Sequence, residues 1–107
     1  MPSAVVNRSD IVNRLTFKLK EKYKKNPSLK KLTHHEVDDM VKDILYVLEQ
    51  NILQKNRVEI RGFCSFELKF VAPHTARNPA TGEEVLVDAK YKLSFHPSKK
   101  LFYRLNR

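Results

Sequence analysis

The sequence has one cysteine, two glycines, and only twelve acids against twenty-one lysines and arginines. A single thiol, Cys64, permits no disulfide within the chain and no thiolate metal centre. Lying between Phe63 and Phe66, it reads as a small buried apolar residue, with redox or intermolecular pairing as the alternative. Two glycines leave little room for phosphate-cradling loops, and no nucleophile with an adjacent base and no paired acids of a catalytic kind are recognisable. His34-His35-Glu36 is the one foothold for a metal. Neighbouring histidines point about a hundred degrees apart on a helix, however, whereas a His-Glu-x-x-His site needs its ligands one turn apart. The pattern therefore predicts no enzyme, no metal, no cofactor and no small-molecule substrate. No apolar stretch approaches the length of a membrane span, and no segment joins a basic face to a run of exposed bulky apolar residues, so a membrane partner is not expected. Met1 to Asn7 lacks the basic start and apolar run of a secretory signal, which predicts a cytoplasm-like compartment.

What the chain does have is cations. A formal charge of +9 and a pI near 9.8 repel themselves unless a polyanion neutralises them, and nucleic acid leads the candidates. The length of 107 residues predicts a single domain, residues 1–107. If a hairpin projects from it, only about three quarters of the chain remains to build a core, which is marginal for a monomer. A dimer is expected on that ground alone.

Apolar residues at Ile11, Val12, Leu15 and Leu19 keep helical spacing after Ser9 and Asp10, predicting a first helix from there to the Lys22-Tyr23-Lys24-Lys25 stretch, broken at Asn26-Pro27-Ser28. Thr33 with Glu36 forms a capping box for a second helix, whose stripe of Val37, Met40, Val41, Ile44, Leu45, Leu48 and Ile52 is wide enough to be covered on more than one side. Asn56 is expected to end it. Val58 to Phe63 alternates as a strand that turns at Gly62 with Arg61 beside Glu59, and Phe66 to Val71 alternates as the next. Val85-Leu86-Val87 and Lys90 to Phe95 return the chain, and Ser98 caps a short basic helix through Leu105. The fold class predicted is α+β. It comprises an N-terminal helical body over about residues 9–56, a three-stranded antiparallel sheet with a long ribbon arm over about 57–96, and a C-terminal helix over about 98–105.

Between the returning strands lies Arg77-Asn78-Pro79-Ala80-Thr81-Gly82. Proline fixes its own φ and glycine supplies the positive φ that reverses a chain, so this is a turn carrying a cation, an amide and a rigid apolar ring at its tip. It reads either as a basic surface loop or as a tip built to enter DNA. Single-stranded RNA readers expose aromatics on a sheet, whereas Phe63, Phe66, Phe70 and Phe95 alternate toward an expected core. That disfavours the rival reading of an RNA-binding or ribosome-associated module.

The two helices, the Ile60-Arg61-Gly62-Phe63-Cys64-Ser65-Phe66 run, the Arg77-Asn78-Pro79-Ala80-Thr81-Gly82 tip and Phe95-His96-Pro97-Ser98-Lys99 together resemble the bacterial DNA-bending family of HU and integration host factor over nearly the whole chain. Glu59 to Phe63, Ala72-Pro73 and Lys90-Tyr91 look closest to its beta-type branch. The resemblance implies an intertwined dimer, homomeric or paired with a related subunit, whose arms wrap double-stranded DNA through the minor groove in the bacterial nucleoid. It implies Pro79 as the intercalating wedge and Arg77 and Asn78 as its neighbours in the groove. Arg61 would reach the minor groove at the flank, oriented by Glu59, unless the two form a cross-strand ion pair. Lys99, Lys100 and Arg104 would clamp phosphate, unless they are a solvated basic face, and Lys69, Lys90 and Lys92 would contact phosphate along the arm. Three features depart from the family pattern. Cys64 and Ser98 stand where it carries glycine, and residues 18–31 form a longer, more basic connection, which reads as a solvated helix end or as added phosphate-binding surface.

Overall fold

The computed structural model describes residues 4–107; Met1, Pro2 and Ser3, on which part of the expectation about a secretory signal rests, lie outside the described residues. The chain forms two compact units, one through Val47 and one from Leu48 to Arg107.

The first unit begins with helix α1 (Arg8–Lys22), which starts earlier than Ser9 because Asn7 is its cap. The Asn7 side chain accepts from the Asp10 amide at 3.0 Å, and the Asp10 carboxylate accepts from the Asn7 amide at 3.1 Å, a closed capping box that satisfies donors the helix start would otherwise leave bare. The expected break at Asn26-Pro27 is itself the start of a one-turn helix, α2 (Pro27–Lys30), with proline at a first-turn position where its missing N–H costs nothing. Helix α3 (His34–Leu53) follows, with the Thr33 hydroxyl accepting from the Glu36 amide at 3.2 Å. Val12, Leu32 and Val37 form the core here, with Leu15, Leu19 and Val41 packed against them. Thr16 is also buried, and its hydroxyl is satisfied by donating to the Val12 carbonyl at 2.7 Å. Part of the α3 stripe is not covered: Met40, Ile44 and Leu45 are exposed, while Val41, Leu48 and Ile52 are half-buried.

Helix α3 ends at Leu53, short of Asn56, in a Schellman turn. The Lys55 amide donates to the Ile52 carbonyl at 2.9 Å and the Asn56 amide to the Asn51 carbonyl at 3.1 Å, with Lys55 at φ 67° where glycine is usual. Strand β1 (Val58–Ile60) then pairs with β2 (Cys64–Val71), and β2 pairs along its whole length with β5 (Lys90–Pro97), giving an antiparallel sheet in the order β1-β2-β5. Beyond it, β3 (His74–Arg77) and β4 (Glu84–Val87) form a separate two-stranded ribbon. The register of Val71 opposite Lys90 carries through unslipped to His74 opposite Val87. The arm is thus one ribbon interrupted at Ala72-Pro73 and Asp88-Ala89, where proline cannot donate to the ladder. Helix α4 (Lys99–Leu105) closes the chain, capped by the Ser98 hydroxyl, which accepts from Leu101 at 3.1 Å.

Period-two alternation sorts the sheet into two faces. Val58, Ile60, Phe66, Leu68, Phe70, Tyr91, Leu93 and Phe95 fall on one, and Glu59, Glu67, Lys69, Lys90, Lys92 and His96 on the other. The aromatics were expected in a core, yet Phe63, Phe70 and Phe95 are at least half exposed, Phe70 at 62%. Rings on this face meet across strands, Phe66 on Phe95 at 5.7 Å and Phe70 on Tyr91 at 5.5 Å between ring centres, both edge to face. Alternation correctly assigned Phe66, Phe70 and Phe95 to one face, but Phe63 lies in the turn between β1 and β2, and alternation could not say that a single chain leaves that face open.

Candidate nucleic-acid interface

The arm tip is a six-residue loop held by its own hydrogen bonds. The Asn78 amide donates to the Glu83 carbonyl at 2.8 Å, and the Gly82 amide donates back to the Asn78 carbonyl at 2.7 Å. The Asn78 side-chain oxygen accepts from the Ala80 amide at 2.9 Å, an Asx turn that spans Pro79. Gly82 takes φ +75°, the left-handed value that brings the chain round into β4. These bonds fix the backbone on both sides of Pro79 while its ring stays exposed. With its oxygen accepting in the turn, the half-buried Asn78 keeps its Nδ2 donors without a hydrogen-bond partner among the described residues. Minor-groove base edges offer chiefly acceptors, A N3 and T O2, so the group left free is the one that groove can use.

Arg77 ends β3 opposite Glu84 in register, yet it forms no ion pair among the described residues. All of β3 is exposed. At the base of the arm, Lys69 stands directly across from Lys92, with Lys90 on the same face one pair further out. Like charges about 5 Å apart across a ladder repel, so this arrangement is destabilising until an anion lies over it.

The flank of the sheet brings a second group together. Strand β1 stops at Ile60, and Arg61-Gly62-Phe63 is a tight turn, closed by the Phe63 amide donating to the Ile60 carbonyl at 2.9 Å, with Gly62 at φ +79°. Arg61 is therefore on a turn and not on the strand. The Phe63 carbonyl accepts from the Ser98 amide at 2.8 Å, which ties this turn to the start of α4 and hence to Lys99 and Lys100. Arg104 lies in the last turn of α4, not near its start, where a cation complements the helix dipole. Cys64 is 4% exposed at the first position of β2, and Ser98 serves as a helix cap, so both replacements for glycine are accommodated.

Glu59 does not meet Arg61. Its carboxylate accepts from Arg57 Nε at 3.1 Å, and Arg57 also reaches Glu67 at 3.4 Å, which His96 approaches at 3.6 Å. Arg57 is the residue that sequence reasoning missed here. Arg57 and Arg61 each lie two positions from Glu59, and only the turn at Gly62 removes Arg61 from the strand.

No group of three or more metal-ligating side chains exists among the described residues, and no helix is long and apolar enough to cross a membrane.

Residues 6–106 match the family model described as bacterial DNA-binding protein. The chain is 39% identical over 101 residues to the integration host factor beta subunit of Psychromonas ingrahamii, covering 94% of this chain and 96% of that protein. It is 47% identical over 70 residues to the corresponding subunit of Escherichia coli, covering 65% and 74% respectively. In fold it matches HU from a cocrystal with DNA, from Anabaena, with a TM-score of 0.71 at 21% identity, covering 94% of this chain and 97% of that one. The chain therefore belongs to the bacterial DNA-binding protein family of HU and integration host factor, and is a DNA-binding architectural protein of that type.

Proposed function

We propose that the protein works in the bacterial nucleoid as a dimer that bends double-stranded DNA, with its arms in the minor groove and Pro79 wedged between base pairs. The observation that carries this reading is the tip: a rigid ring held exposed at the end of a wet ribbon by bonds on both sides of it. Unstacking a base step costs a few kcal/mol, a figure known from minor-groove proteins that include HU and integration host factor themselves. A proline fills the gap without losing side-chain entropy, and the bent duplex then reaches cations elsewhere on the protein. Arg77 and Asn78 enter the groove beside the wedge. Lys69, Lys90 and Lys92 contact phosphate along the arm, and Arg61 with Lys99, Lys100 and Arg104 holds the flank. Glu59 acts on Arg57 in this reading, leaving Arg61 free to turn toward DNA. The reaction is binding, without catalysis or cofactor.

The dimer is supported by the open apolar face. Covering the exposed halves of Phe70, Tyr91 and Phe95, on the order of 100 Å² each, contributes several kcal/mol per chain. A homodimer is the simplest assembly, with a related subunit as the other partner, and in either the 107 residues act as one domain.

Pro79→Ala tests the wedge. In an end-to-end fluorescence-transfer assay on a short duplex the substitution is expected to reduce bending much more than affinity, because cations supply most of the binding. Unchanged bending overturns the role of Pro79. Lys99→Ala is expected to lower the slope of log K against log salt by about one unit. Native mass measurement with and without a duplex identifies the oligomer and its partner.

A further inference from the structure

Residues 18–31, the segment from the end of α1 through α2, hold seven lysines against one acid, Glu21, a net +6 out of the chain's +9. All seven lysines are exposed, and none forms an ion pair among the described residues. Lys18 and Lys22 sit one turn apart on α1, where like charges destabilise a helix by about 0.2–0.5 kcal/mol. Lys20 and Lys22, in the last turn of α1, and Lys30, in the last turn of α2, are favoured by a helix dipole; Lys24, Lys25 and Lys31 lie outside both helices.

This is not a loose tail. The Asn26 amide donates to the Tyr23 carbonyl at 2.9 Å, Asn26 caps α2 through the Ser28 amide at 3.0 Å, and the Lys30 amide donates to the Asn26 carbonyl at 3.0 Å. Leu32, 6% exposed, anchors the end of the segment in the core with Val12 and Val37. Lys22 to Pro27 line a shallow concavity of about 600 Å³, with Lys22 Nζ 5.4 Å from the Tyr23 ring centre. Cations on a hydrogen-bonded frame lose less entropy on meeting an anionic partner than cations on a disordered chain.

We infer that residues 18–31 form a second phosphate-binding surface for double-stranded DNA, engaged independently of the arm. The inference rests on the proposed DNA-binding mode but not on the wedge. A polyanion with closely spaced charges suits a row of unpaired lysines. An anionic membrane suits it poorly, because Leu19 and Leu29 are half-buried and the exposed rings nearby, Phe17 and Tyr23, are six positions apart and so fall on different sides of the helix, making no continuous apolar face to insert.

The test uses the full-length protein with Lys22, Lys24, Lys25 and Lys30 all changed to Gln, a companion with the same four changed to Arg, and a duplex of about 40 base pairs. At about 0.9 unit per phosphate, with three of the four changed lysines in contact at a time, the salt slope falls by nearly three, so that between 50 and 200 mM salt the parent should lose about 40-fold more affinity than the Gln variant. The Arg companion should keep the parental slope, and fluorescence transfer at saturating protein should report the same bend in all three. A Gln variant with a slope within half a unit of the parent overturns the inference. So does an Arg companion that fails as the Gln variant does, or a Gln variant that loses binding to phosphatidylglycerol vesicles while its DNA slope is unchanged. Failure of the parent to bend DNA refutes the proposed wedge and leaves the slope comparison readable.

Discussion

Asn78 holds the tip turn and, in the proposed complex, also faces the minor groove, and one substitution divides these two roles. Its side-chain oxygen holds the Ala80 amide at 2.9 Å, and its Nδ2 donors are the part left for base edges. Asn78→Asp keeps an oxygen acceptor at the same place, so the Asx turn and the course of the backbone past Pro79 should persist. It replaces both donors with a second acceptor and adds a negative charge facing the acceptor-lined minor groove. Loss of the donor contacts is worth about 2 kcal/mol per arm, or about 30-fold in affinity. Asn78→Ala, by contrast, gives up the turn bond as well, about 1 kcal/mol of local order. Fluorescence anisotropy on an A·T-rich duplex gives the affinities, and amide exchange at Ala80 and Gly82 reports the turn. The expected pattern is a protected Ala80 amide with weak binding for Asp, and a faster-exchanging Ala80 amide with weak binding for Ala. Simple charge repulsion would be screened away as salt rises, whereas missing hydrogen bonds persist, so more than half of the Asp deficit should remain at about 0.3 M salt. Binding by Asn78→Asp within twofold of the parent, with the turn intact, refutes the proposed contact.

Gly62→Ala should cost about 1 kcal/mol in urea unfolding, from the φ of +79° alone, because an added Cβ there meets nothing within 4 Å; a neutral result would mean the turn relaxes freely. Lys55, in the left-handed region with its ammonium 4.4 Å from the Tyr91 ring centre, trades strain against a cation–π contact. Lys55→Gly should therefore stabilise by about 0.5–1 kcal/mol in a Tyr91→Leu background and by less in the parent, and destabilisation in both would refute that trade. The hydrogen bond from Lys42, reinforced by Arg8, holds the Asp38 carboxyl below its ordinary value of 3.8. Its contribution is fully present above that ordinary value and is lost as pH falls through the lower folded one, so Asp38→Asn should flatten the loss of stability between about pH 5 and pH 3. Parallel urea midpoints for mutant and parent across that window would exclude the effect.

The tip was legible in the sequence because its residues act locally: proline sets a φ, asparagine folds onto the next amides, and glycine reverses the chain. The Thr33 cap was legible for the same reason. Elsewhere two local answers competed. Asn7 and Ser9 are both good caps, and only Asp10 three positions after Asn7 favours the first. The interruption of the arm at Pro73 was not anticipated, although proline gives a local reason for it, and the unslipped register on either side is a property of the pairing and not of either strand. Lys55 gave no sign of a left-handed cap, since lysine has no preference for that region and its reward, the Tyr91 ring, is distant in sequence.

The exposed aromatics connect stability to DNA binding. A sheet with one apolar face open is a liability for a lone chain. The opposite face bears Lys69 across from Lys92, which repel each other. Each face thus lacks something the chain does not supply: the apolar one a second chain, the basic one a phosphate backbone. If both are met in the proposed complex, the strands that seat the partner are the strands from which the arms extend. A substitution that opens the apolar face, such as Phe95→Ser, should then weaken DNA binding and dimerisation together, although Phe95 lies on the face opposite the lysines.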